Sequence, residues 1–208
     1  MLPLCDVAAD IGCDHGKLAA YLIETGRARR VIACDISAPS LEKAGRLGCD
    51  TRLGDGLEPL TAGEAQGIVI AGMGGLLISR ILEKGREKLA GAALVLQPMQ
   101  NAAELRRFLR ENGFRIDEQR LVKEDRRIYC VMRAYEGGED CCDEFVYDRV
   151  GVRFAGDGVL YREYVKGLML ELEHSKRSVR GDSPAAKRAR LTLESETGNI
   201  KELYDEIR

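Results

Sequence analysis

The densest group of residues able to do chemistry lies near the amino terminus, in the string Asp10-Ile11-Gly12-Cys13-Asp14-His15-Gly16. This string follows a short apolar run and precedes a helical pattern. Gly12 permits a sharp turn and a close approach of the backbone to a ligand. Asp14 lies where nucleotide-binding loops often carry glycine, and its carboxylate favours a positively charged group over a pyrophosphate. The amino group and the sulfonium of S-adenosylmethionine are such groups.

Two further carboxylates follow later apolar runs. Asp35 comes nineteen residues after Gly16, where a carboxylate can accept hydrogen bonds from both hydroxyls of an adenosine ribose. The alternative role is a helix N-cap, which Ser37 can also fill. Asp55, in the string Gly54-Asp55-Gly56, can accept a hydrogen bond from the exocyclic amine of an adenine. An ordinary Asp-Gly turn explains the same string.

Glycines and amides follow the next two apolar runs. The string Ala71-Gly72-Met73-Gly74-Gly75 places three glycines within four residues, and Gln97-Pro98-Met99-Gln100-Asn101 offers amide groups. Open α/β sheets bind their ligands at the carboxyl ends of the strands. The glycines therefore indicate that the backbone approaches something flat or bulky, such as a base presented to a methyl donor.

Histidines and cysteines give weaker signals. His15 can orient an acceptor or take a proton, and it can equally be a structural hydrogen-bonding residue. Cys13 is interpreted as a small loop residue, and the neighbouring Cys141 and Cys142 as incidental thiols of a linker. Seven cysteines with no C-x-x-C pair and only two histidines predict reduced thiols, no metal site and a cytoplasmic protein.

An alternation of short apolar runs with helical patterns, from Val7 to about Ala134, must position these side chains. This rhythm is typical of βαβ units that build a parallel sheet. The predicted strands are Val7–Ile11, Val31–Asp35, Thr51–Leu53, Ile68–Ala71 and Leu94–Gln97. The predicted helices are Lys17–Glu24, Pro39–Gly45, Leu76–Lys84 and Ala102–Asn112.

After Gly113 the pattern changes to two strand-like runs, Phe114–Val122 and Ile128–Ala134. Only the charged stretch 123–127 separates them, so they must form an antiparallel hairpin. A parallel sheet that ends in an antiparallel hairpin is typical of class I methyltransferases, whereas dinucleotide dehydrogenases more often continue with parallel strands. The sequence thus predicts an α/β, Rossmann-like catalytic domain over residues 1–135.

The remaining chain is predicted to contain a linker, 136–160, and a helical, coiled-coil-like hairpin, 161–208. Apolar residues recur there at helical spacing. They are Tyr161, Tyr164, Val165, Leu168, Leu172, Leu193, Ile200, Leu203 and Ile207. Six basic residues gather at the predicted tip, namely Lys176, Arg177, Arg180, Lys187, Arg188 and Arg190. They can bind RNA phosphates, and an ordinary solvated helix pair explains them equally well.

Composition excludes several classes of protein. Thirty-two basic and thirty-four acidic residues leave a net charge of −2, so any RNA binding must come from local patches. The apolar amino terminus is interrupted by Asp6 and Asp10 and lacks the basic region of a signal peptide. No apolar run is long enough for a membrane helix. We therefore expect a soluble protein without a membrane partner.

Together the strings VAADIGCDHG, RLGDGLEPL, IVIAGMGG, LVLQPMQN, LRRFLRENGFRI and EDRRIYCVMRA resemble the bacterial tRNA (adenine-22-N1)-methyltransferase family. The resemblance covers the first two thirds of the chain. It implies a Rossmann-like catalytic domain, a helical C-terminal domain, S-adenosylmethionine as the methyl donor and tRNA as the partner. Family members usually carry a short helical segment before the first strand, which here is predicted to begin near Met1, and often a glutamate where Asp35 stands.

The resemblance also assigns site residues. It implies that Asp10, Gly12, Asp14, Asp35, Asp55 and Gly56 line the donor site, and that Gly72, Met73, Gly74, Gly75, Gln97 and Pro98 lie near the adenine. Asp14 and His15 are the candidate catalytic residues. Alternatives remain: a methyltransferase acting on another RNA base, a non-catalytic RNA-binding protein that retains the donor pocket, or a nucleotide-dependent oxidoreductase. The oligomeric state is not predicted.

Overall fold

A computed structural model of the protein describes residues 1–138, 144–151, 154 and 158–207. The strands are β1 (Cys5–Ile11), β2 (Ala28–Asp35), β3 (Asp50–Leu53), β4 (Gly67–Gly74), β5 (Ala93–Gln100), β6 (Phe114–Glu124) and β7 (Arg127–Glu136). The helices are α1 (Lys17–Glu24), α2 (Ala38–Arg46), α3 (Gly75–Lys84), α4 (Arg86–Leu89), α5 (Ala102–Glu111), α6 (Glu144–Arg149), α7 (Gly158–Ser178) and α8 (Pro184–Glu206).

Seven strands form one sheet in the order β3-β2-β1-β4-β5-β7-β6. The first five strands are parallel, and β7 runs antiparallel to both β5 and β6. The strand order reverses between β1 and β4, where Asp10 pairs with Val69. Ligands of open α/β sheets bind at such a reversal. The predicted Rossmann-like sheet with an antiparallel terminal hairpin is confirmed.

The sheet is buried on both faces because its central strands are continuously apolar. In β4, Ile68 and Ile70 pack into a core cluster with Ile78 and Leu82 of α3. Val69, which points to the opposite face, belongs to a second cluster with Leu22 of α1. The two layers of helices thus fix the carboxyl ends of β1 and β4 relative to each other.

The turn between β6 and β7 is shorter than predicted. Lys123 pairs with Ile128 and Glu124 pairs with Arg127, so only Asp125 and Arg126 connect the strands. Asp125 has φ 52°, the left-handed conformation that such two-residue turns require. Charged side chains do not end the ladder here because this end of the hairpin is exposed to solvent.

Residues 144–149, inside the segment predicted as a linker, form α6. Asp148 of this helix is buried, and its carboxylate accepts hydrogen bonds from Arg107 Nε at 3.1 Å and Arg110 Nη2 at 3.0 Å. The prediction of a linker through this stretch is therefore wrong. A single six-residue helix that depends on long-range ion pairs leaves little periodicity in the sequence. The Cys141 and Cys142 prediction lies outside the described residues.

Helices α7 and α8 form the predicted antiparallel hairpin, although α7 begins three residues before Tyr161. Val165, Leu172 and Ile200 are buried between them, and the other predicted apolar residues pack around these three. Across the described ranges, none of the helices combines the length and the apolar character that a membrane span requires.

A buried arginine attaches this hairpin to the sheet. Arg106 of α5 is fully buried and donates to Gln119 Oε1 at 2.9 Å and to the carbonyls of Asp148 and Arg149 at 3.2 Å. It also contacts the Tyr164 hydroxyl of α7 at 3.2 Å. Because the guanidinium can donate five hydrogen bonds in one plane, a single side chain joins α5, β6, α6 and α7.

Candidate active site

The loop after β1 is held by backbone hydrogen bonds to β2. The N–H groups of Gly12 and Cys13 both donate to the Cys34 carbonyl, at 2.8 and 3.0 Å. Gly12 has φ 70°, and a Cβ at this position would lie 2.0 Å from Met73 Cε. Asp14 also adopts a left-handed conformation, with φ 49°. The positive φ therefore favours glycine where the loop meets β4, and a larger residue would also have to displace the end of the Met73 side chain.

Asp10 lies at the base of this loop with only 3% of its surface exposed. Burial raises the pKa of its carboxyl to about 6, a backbone hydrogen bond from Ala19 opposes this shift, and the charge of Asp35 adds to it. Within the described residues, its Oδ2 atom has no hydrogen-bond partner. An unpaired buried carboxylate oxygen is costly, so this atom is suited to a ligand that donates a hydrogen bond.

Asp35 connects the first loop to the second. Its Oδ2 accepts the N–H of Asp14 at 2.9 Å, and its Oδ1 accepts the N–H of Ser37 at 2.8 Å. The N-cap of α2 is Ser37, whose Oγ accepts the N–H of Ser40 at 3.4 Å. Because a carboxylate has about four acceptor positions, Asp35 keeps acceptor capacity for a ribose.

The structure separates Asp55 from the other carboxylates. The loop itself is close, since the N–H of Gly54 donates to the Asp35 carbonyl at 3.1 Å. The Asp55 side chain, however, lies 3.4 Å from Lys84 Nζ. Together with Gly56 it lines a separate cavity of about 340 Å³ between this loop and α3. Contact of Asp55 with an adenine stays a prediction that requires the side chain to leave Lys84.

The side chains of Asp14 and His15 are in contact, and a third residue, Lys43, joins them. His15 Nδ1 lies 2.7 Å from Asp14 Oδ2, and His15 Nε2 lies 2.6 Å from Lys43 Nζ on α2. When Lys43 donates to Nε2, the ring proton is on Nδ1 and points to Asp14. The hydrogen bond from His15 lowers the pKa of Asp14. Lys43, 28 residues away, gave no signal in the sequence.

The glycines after β4 and the amide after β5 also meet. Gly72 has φ 76°, and its N–H donates to Gln97 Oε1 at 2.8 Å. The pairing of β4 with β5 is irregular between Ala71 and Gly74. Such irregularities redirect a strand end and are common beside active sites. Gly75 begins α3 in close contact with the backbone, since a Cβ there would lie 2.2 Å from the Asn101 carbonyl oxygen.

These loops enclose a cleft of about 410 Å³, which we call the donor cleft. Its lining residues are Asp10, Gly12, Cys13, Asp14, His15, Lys17, Leu18, Ala71 and Gly72. The predicted loops after the first and fourth strands thus form one site. Burial, with Asp10 and Asp35 nearby, raises the pKa of the Cys13 thiol to about 12. A thiol with this pKa stays protonated, in agreement with the interpretation of Cys13 as a small loop residue.

The six basic residues of the hairpin tip differ in their contacts. Lys176 lies 2.7 Å from Glu194, Arg177 lies 3.6 Å from Glu173, and Arg190 contacts Asp182 and the Gly181 carbonyl. The other three, Arg180, Lys187 and Arg188, are exposed. The tip therefore carries less unbalanced positive charge than the sequence alone indicates.

Comparison with known proteins agrees with this geometry. A family model described as a methyltransferase domain matches residues 1–132. The tRNA (adenine(22)-N(1))-methyltransferase of Bacillus subtilis (strain 168) is 33% identical, and the similarity covers 99% of this chain and 89% of that protein. A putative tRNA methyltransferase of Mycoplasma pneumoniae is 42% identical over 59% of this chain and 60% of that protein.

Solved structures extend the similarity to the whole fold. The crystal structure of the B. subtilis m1A22 tRNA methyltransferase TrmK has a TM-score of 0.81 and 27% identity, covering 98% of this chain and 94% of that chain. Streptococcus pneumoniae Sp1610, a putative tRNA (m1A22) methyltransferase crystallised with S-adenosyl-L-methionine, has a TM-score of 0.82 and 26% identity, with the same coverage. This chain therefore belongs to the tRNA (adenine(22)-N(1))-methyltransferase family.

Proposed function

We propose that this protein transfers the methyl group of S-adenosylmethionine to N1 of adenine 22 in tRNA. The observation that carries the proposal is the meeting of the loops after β1 and β4 in one cleft. It occurs in a chain that is 33% identical, over 99% of its length, to a tRNA (adenine(22)-N(1))-methyltransferase. Donor and acceptor are then held at the same edge of the sheet.

The residues of the donor cleft fit the proposed donor. The unpaired Asp10 Oδ2 can accept a hydrogen bond from an ammonium group, and Asp14 adds a second negative charge near a sulfonium. Gly12, at φ 70°, lets the loop turn sharply where it lines the cleft. We assign the nucleoside end to Asp35, Asp55 and Gly56, with Asp55 turning away from Lys84. Asp14 would repel the pyrophosphate of a dinucleotide, which disfavours the oxidoreductase alternative.

Asp14 and His15 would act by charge and orientation. When bound, S-adenosylmethionine supplies a methyl group on a sulfonium, and the carbon–sulfur electron pair stays on sulfur as the base nitrogen takes the methyl. N1 of a neutral adenine carries a lone pair and no proton, so no residue has to remove a proton before the attack. Asp14, whose pKa is lowered by the hydrogen bond from His15, carries the negative charge that offsets the positive charge of the methylated base. We therefore assign Asp14 an electrostatic role and His15, held by Lys43, a positioning role.

The acceptor base would lie against the glycines after β4. The Gly72 N–H donates to Gln97 Oε1, and among the described residues the Gln97 amide nitrogen makes two long contacts, 3.3 Å to the Pro98 carbonyl and 3.7 Å to Met99 Sδ. This nitrogen is suited to the edge of an adenine, which glutamine recognises well. Gly72, Met73, Gly74 and Gly75 would border the base, which must leave its stack to enter.

The helical hairpin is proposed to hold the tRNA while the base enters the cleft. Phosphates would be contacted at the tip by Lys176, Arg177, Arg180, Lys187, Arg188 and Arg190. Three of these side chains already have acidic partners or a carbonyl partner, so we expect each to contribute modestly. The division of work between residues 1–135, which bind the donor, and the helical hairpin, which binds RNA, is part of this proposal.

The direct test is transfer of radiolabelled methyl from S-adenosylmethionine to unmodified bacterial tRNA, followed by identification of the labelled nucleoside. The expected product is 1-methyladenosine. Label in a different nucleoside would favour the alternative of another RNA base. Donor binding without transfer to any tRNA would favour the non-catalytic alternative.

Two glycine variants test whether the donor binds in this cleft. Gly12→Ala would displace the end of the Met73 side chain next to this lining residue of the cleft, whereas Gly26→Ala, also at positive φ, meets nothing within 4 Å. Both variants bear the backbone strain of a left-handed alanine, about 1 kcal/mol. Loss of donor binding in Gly12→Ala alone would place the donor in this cleft.

A further inference from the structure

A second and larger cleft lies between the sheet and the helical hairpin. It has a volume of about 820 Å³, and we call it the interdomain cleft. Four parts of the chain line it: the segment from Pro98 to Glu104, the segment from Arg126 to Cys130, Arg149 of α6, and the face of α7 around Gly167. Pro98 directly follows Gln97, whose side chain is bound to Gly72 of the donor cleft. The two clefts therefore adjoin at the proposed acceptor site.

The walls of the interdomain cleft are fixed relative to each other. Arg106 binds Gln119 of β6 and Tyr164 of α7, and Lys123 of β6 lies 2.7 Å from Glu163 of α7. A fully buried guanidinium with several hydrogen-bond partners is costly to displace. The cleft is thus a formed feature of the protein, and α7 keeps a set distance from the β6–β7 turn.

Three cations of this cleft remain available to a ligand. Arg126, Arg127 and Lys166 are exposed, and in the described part of the chain none of them forms an ion pair. The fourth lining cation, Arg149, is bound to Glu196 at 3.3 Å. The lining acids are Glu104, Glu163 and Glu171, and the turn adds Glu124 and Asp125. Glu163 is paired with Lys123, which leaves Glu104 and Glu171 as the other lining acids. Arg126 and Arg127 reach the cleft from the β6–β7 turn, and Lys166 reaches it from α7.

Gly167 supplies the second observation. This glycine lies in the interior of the 21-residue helix α7, on the cleft face, and a Cβ there would meet nothing within 4 Å. Glycine in a helix interior costs up to about 1 kcal/mol relative to alanine. The packing of the described residues gives no reason for this cost. Gly198 of α8 has the same open setting away from the cleft, so it is the position of Gly167 on the cleft face that allows a ligand backbone to approach α7 closely there.

We infer that the interdomain cleft holds the sugar-phosphate backbone of the tRNA next to the target adenine. Arg126 and Arg127 contact phosphates on one side, Lys166 contacts them on the other, and Gly167 leaves room for the strand. The hairpin tip is farther from the acceptor site, since Lys176 lies ten residues along α7 from Lys166, about 15 Å at helical rise. This inference rests on the proposed function, and it names the surface that positions the substrate.

The experiment compares two double variants that each remove two positive charges. Arg126→Ala with Arg127→Ala changes the cleft, and Lys187→Ala with Arg188→Ala changes the exposed tip. We expect the cleft pair to weaken tRNA binding about tenfold at moderate salt and to reduce the salt slope of log K by about 2. The tip pair should have a clearly smaller effect, and donor affinity should stay unchanged in both.

A matched glycine pair tests the close approach. Gly167→Gln and Gly198→Gln each place a good helix former at an exposed helical glycine with open space around it. Both variants should be at least as stable as the wild type. Only Gly167→Gln should raise KM for tRNA, because Gly198 of α8 does not line the cleft.

The outcomes separate this inference from the proposed function. A wild-type protein that methylates no tRNA would overturn the proposed function. Wild-type activity, combined with unchanged tRNA binding and salt slope in the cleft pair and unchanged KM in Gly167→Gln, would overturn the inference alone. An equal or larger loss in the tip pair would also overturn it, since the tip would then be the main RNA-binding surface.

Discussion

The donor cleft and the tip of the helical hairpin are built in different ways. In the donor cleft, backbone N–H groups fix the first loop. Those of Gly12 and Cys13 donate to the Cys34 carbonyl, and that of Asp14 donates to the Asp35 carboxylate. At the tip, exposed side chains pair with one another, as Lys176 does with Glu194. A backbone contact is lost completely when a side chain intrudes, whereas an exposed ion pair is replaced by water at little cost. We therefore expect sharp effects of substitution in the cleft and graded effects at the tip.

Arg106 is expected to be the largest exception to this contrast. Its contacts are made by a side chain, but that side chain is fully buried. Arg106→Met removes the hydrogen bonds that Arg106 donates to Gln119 and to the carbonyls of Asp148 and Arg149. We expect a loss of about 4 kcal/mol in the free energy of unfolding, measured by urea titration. Arg107→Met is the comparison on the same helix; its side chain is half exposed and Arg110 still pairs with the buried Asp148, so the expected loss is smaller, about 1–2 kcal/mol. Similar losses in both variants would contradict the role assigned to Arg106.

Asp10 should make stability depend on pH. Its pKa, raised to about 6 by burial, lies above the unfolded value, so the folded protein binds the proton more tightly. The buried charge of ionised Asp10 destabilises the folded protein. This destabilisation is absent below the unfolded pKa, about 4, grows as the pH rises to the folded pKa, about 6, and is fully present above it. The unfolding free energy of the wild type minus that of Asp10→Asn should therefore fall by about 3 kcal/mol from pH 4 to pH 8.

The control for Asp10 is Asp6→Asn, because Asp6 lies on the same strand and is exposed. The pH-dependent change should be larger for Asp10→Asn than for Asp6→Asn, because Asp10 is buried and Asp6 is exposed. Asp10→Asn should also weaken donor binding at pH 8, where the wild-type carboxylate is charged. A flat difference for Asp10→Asn would show that this carboxyl is not desolvated.

Gly75 tests the backbone contacts on the acceptor side. In Gly75→Ala the new Cβ would collide with the Asn101 carbonyl, which is backbone and cannot rotate away. We expect a loss of about 2 kcal/mol in stability together with reduced methyl transfer. Gly45→Ala in α2, where the nearest atom is 3.7 Å away, should be neutral or slightly stabilising. Equal thermal midpoints for the two variants would remove the argument for a tight contact at Gly75.

Lys176 should show the smallest effect. Its ion pair with Glu194 is partly exposed at both ends. Lys176→Ala is expected to change stability by less than about 1 kcal/mol, measured by thermal unfolding at low and high salt. A larger loss would mean that the tip is as rigid as the donor cleft, and the contrast between the two regions would disappear.

Periodic and local features could be predicted from the sequence, whereas long-range contacts could not. The apolar runs of β1, β4 and β5 are continuous enough to identify a buried parallel sheet, and Gly12 and Gly72 mark the loops that meet in the donor cleft. Helix α6 was missed because its position depends on Arg107 and Arg110, about forty residues earlier in the chain.

Side-chain direction was the other limit of sequence reasoning. Asp55 follows its strand as predicted, yet its carboxylate lies 3.4 Å from Lys84 on the neighbouring helix α3. The sequence does not show that these two charges meet. Lys43 reaches His15 only because α2 packs beside the first loop. The identity of a residue at a strand end can be read from the sequence, but its partner depends on how the helices pack.

The most direct test of the account compares two tRNA substrates that differ only at position 22. One unmodified tRNA carries adenine there, and the other carries guanine. With the wild-type protein and labelled S-adenosylmethionine, we expect 1-methyladenosine in the first tRNA and no label in the second. Equal labelling of both tRNAs, or no label in either despite donor binding, would contradict it.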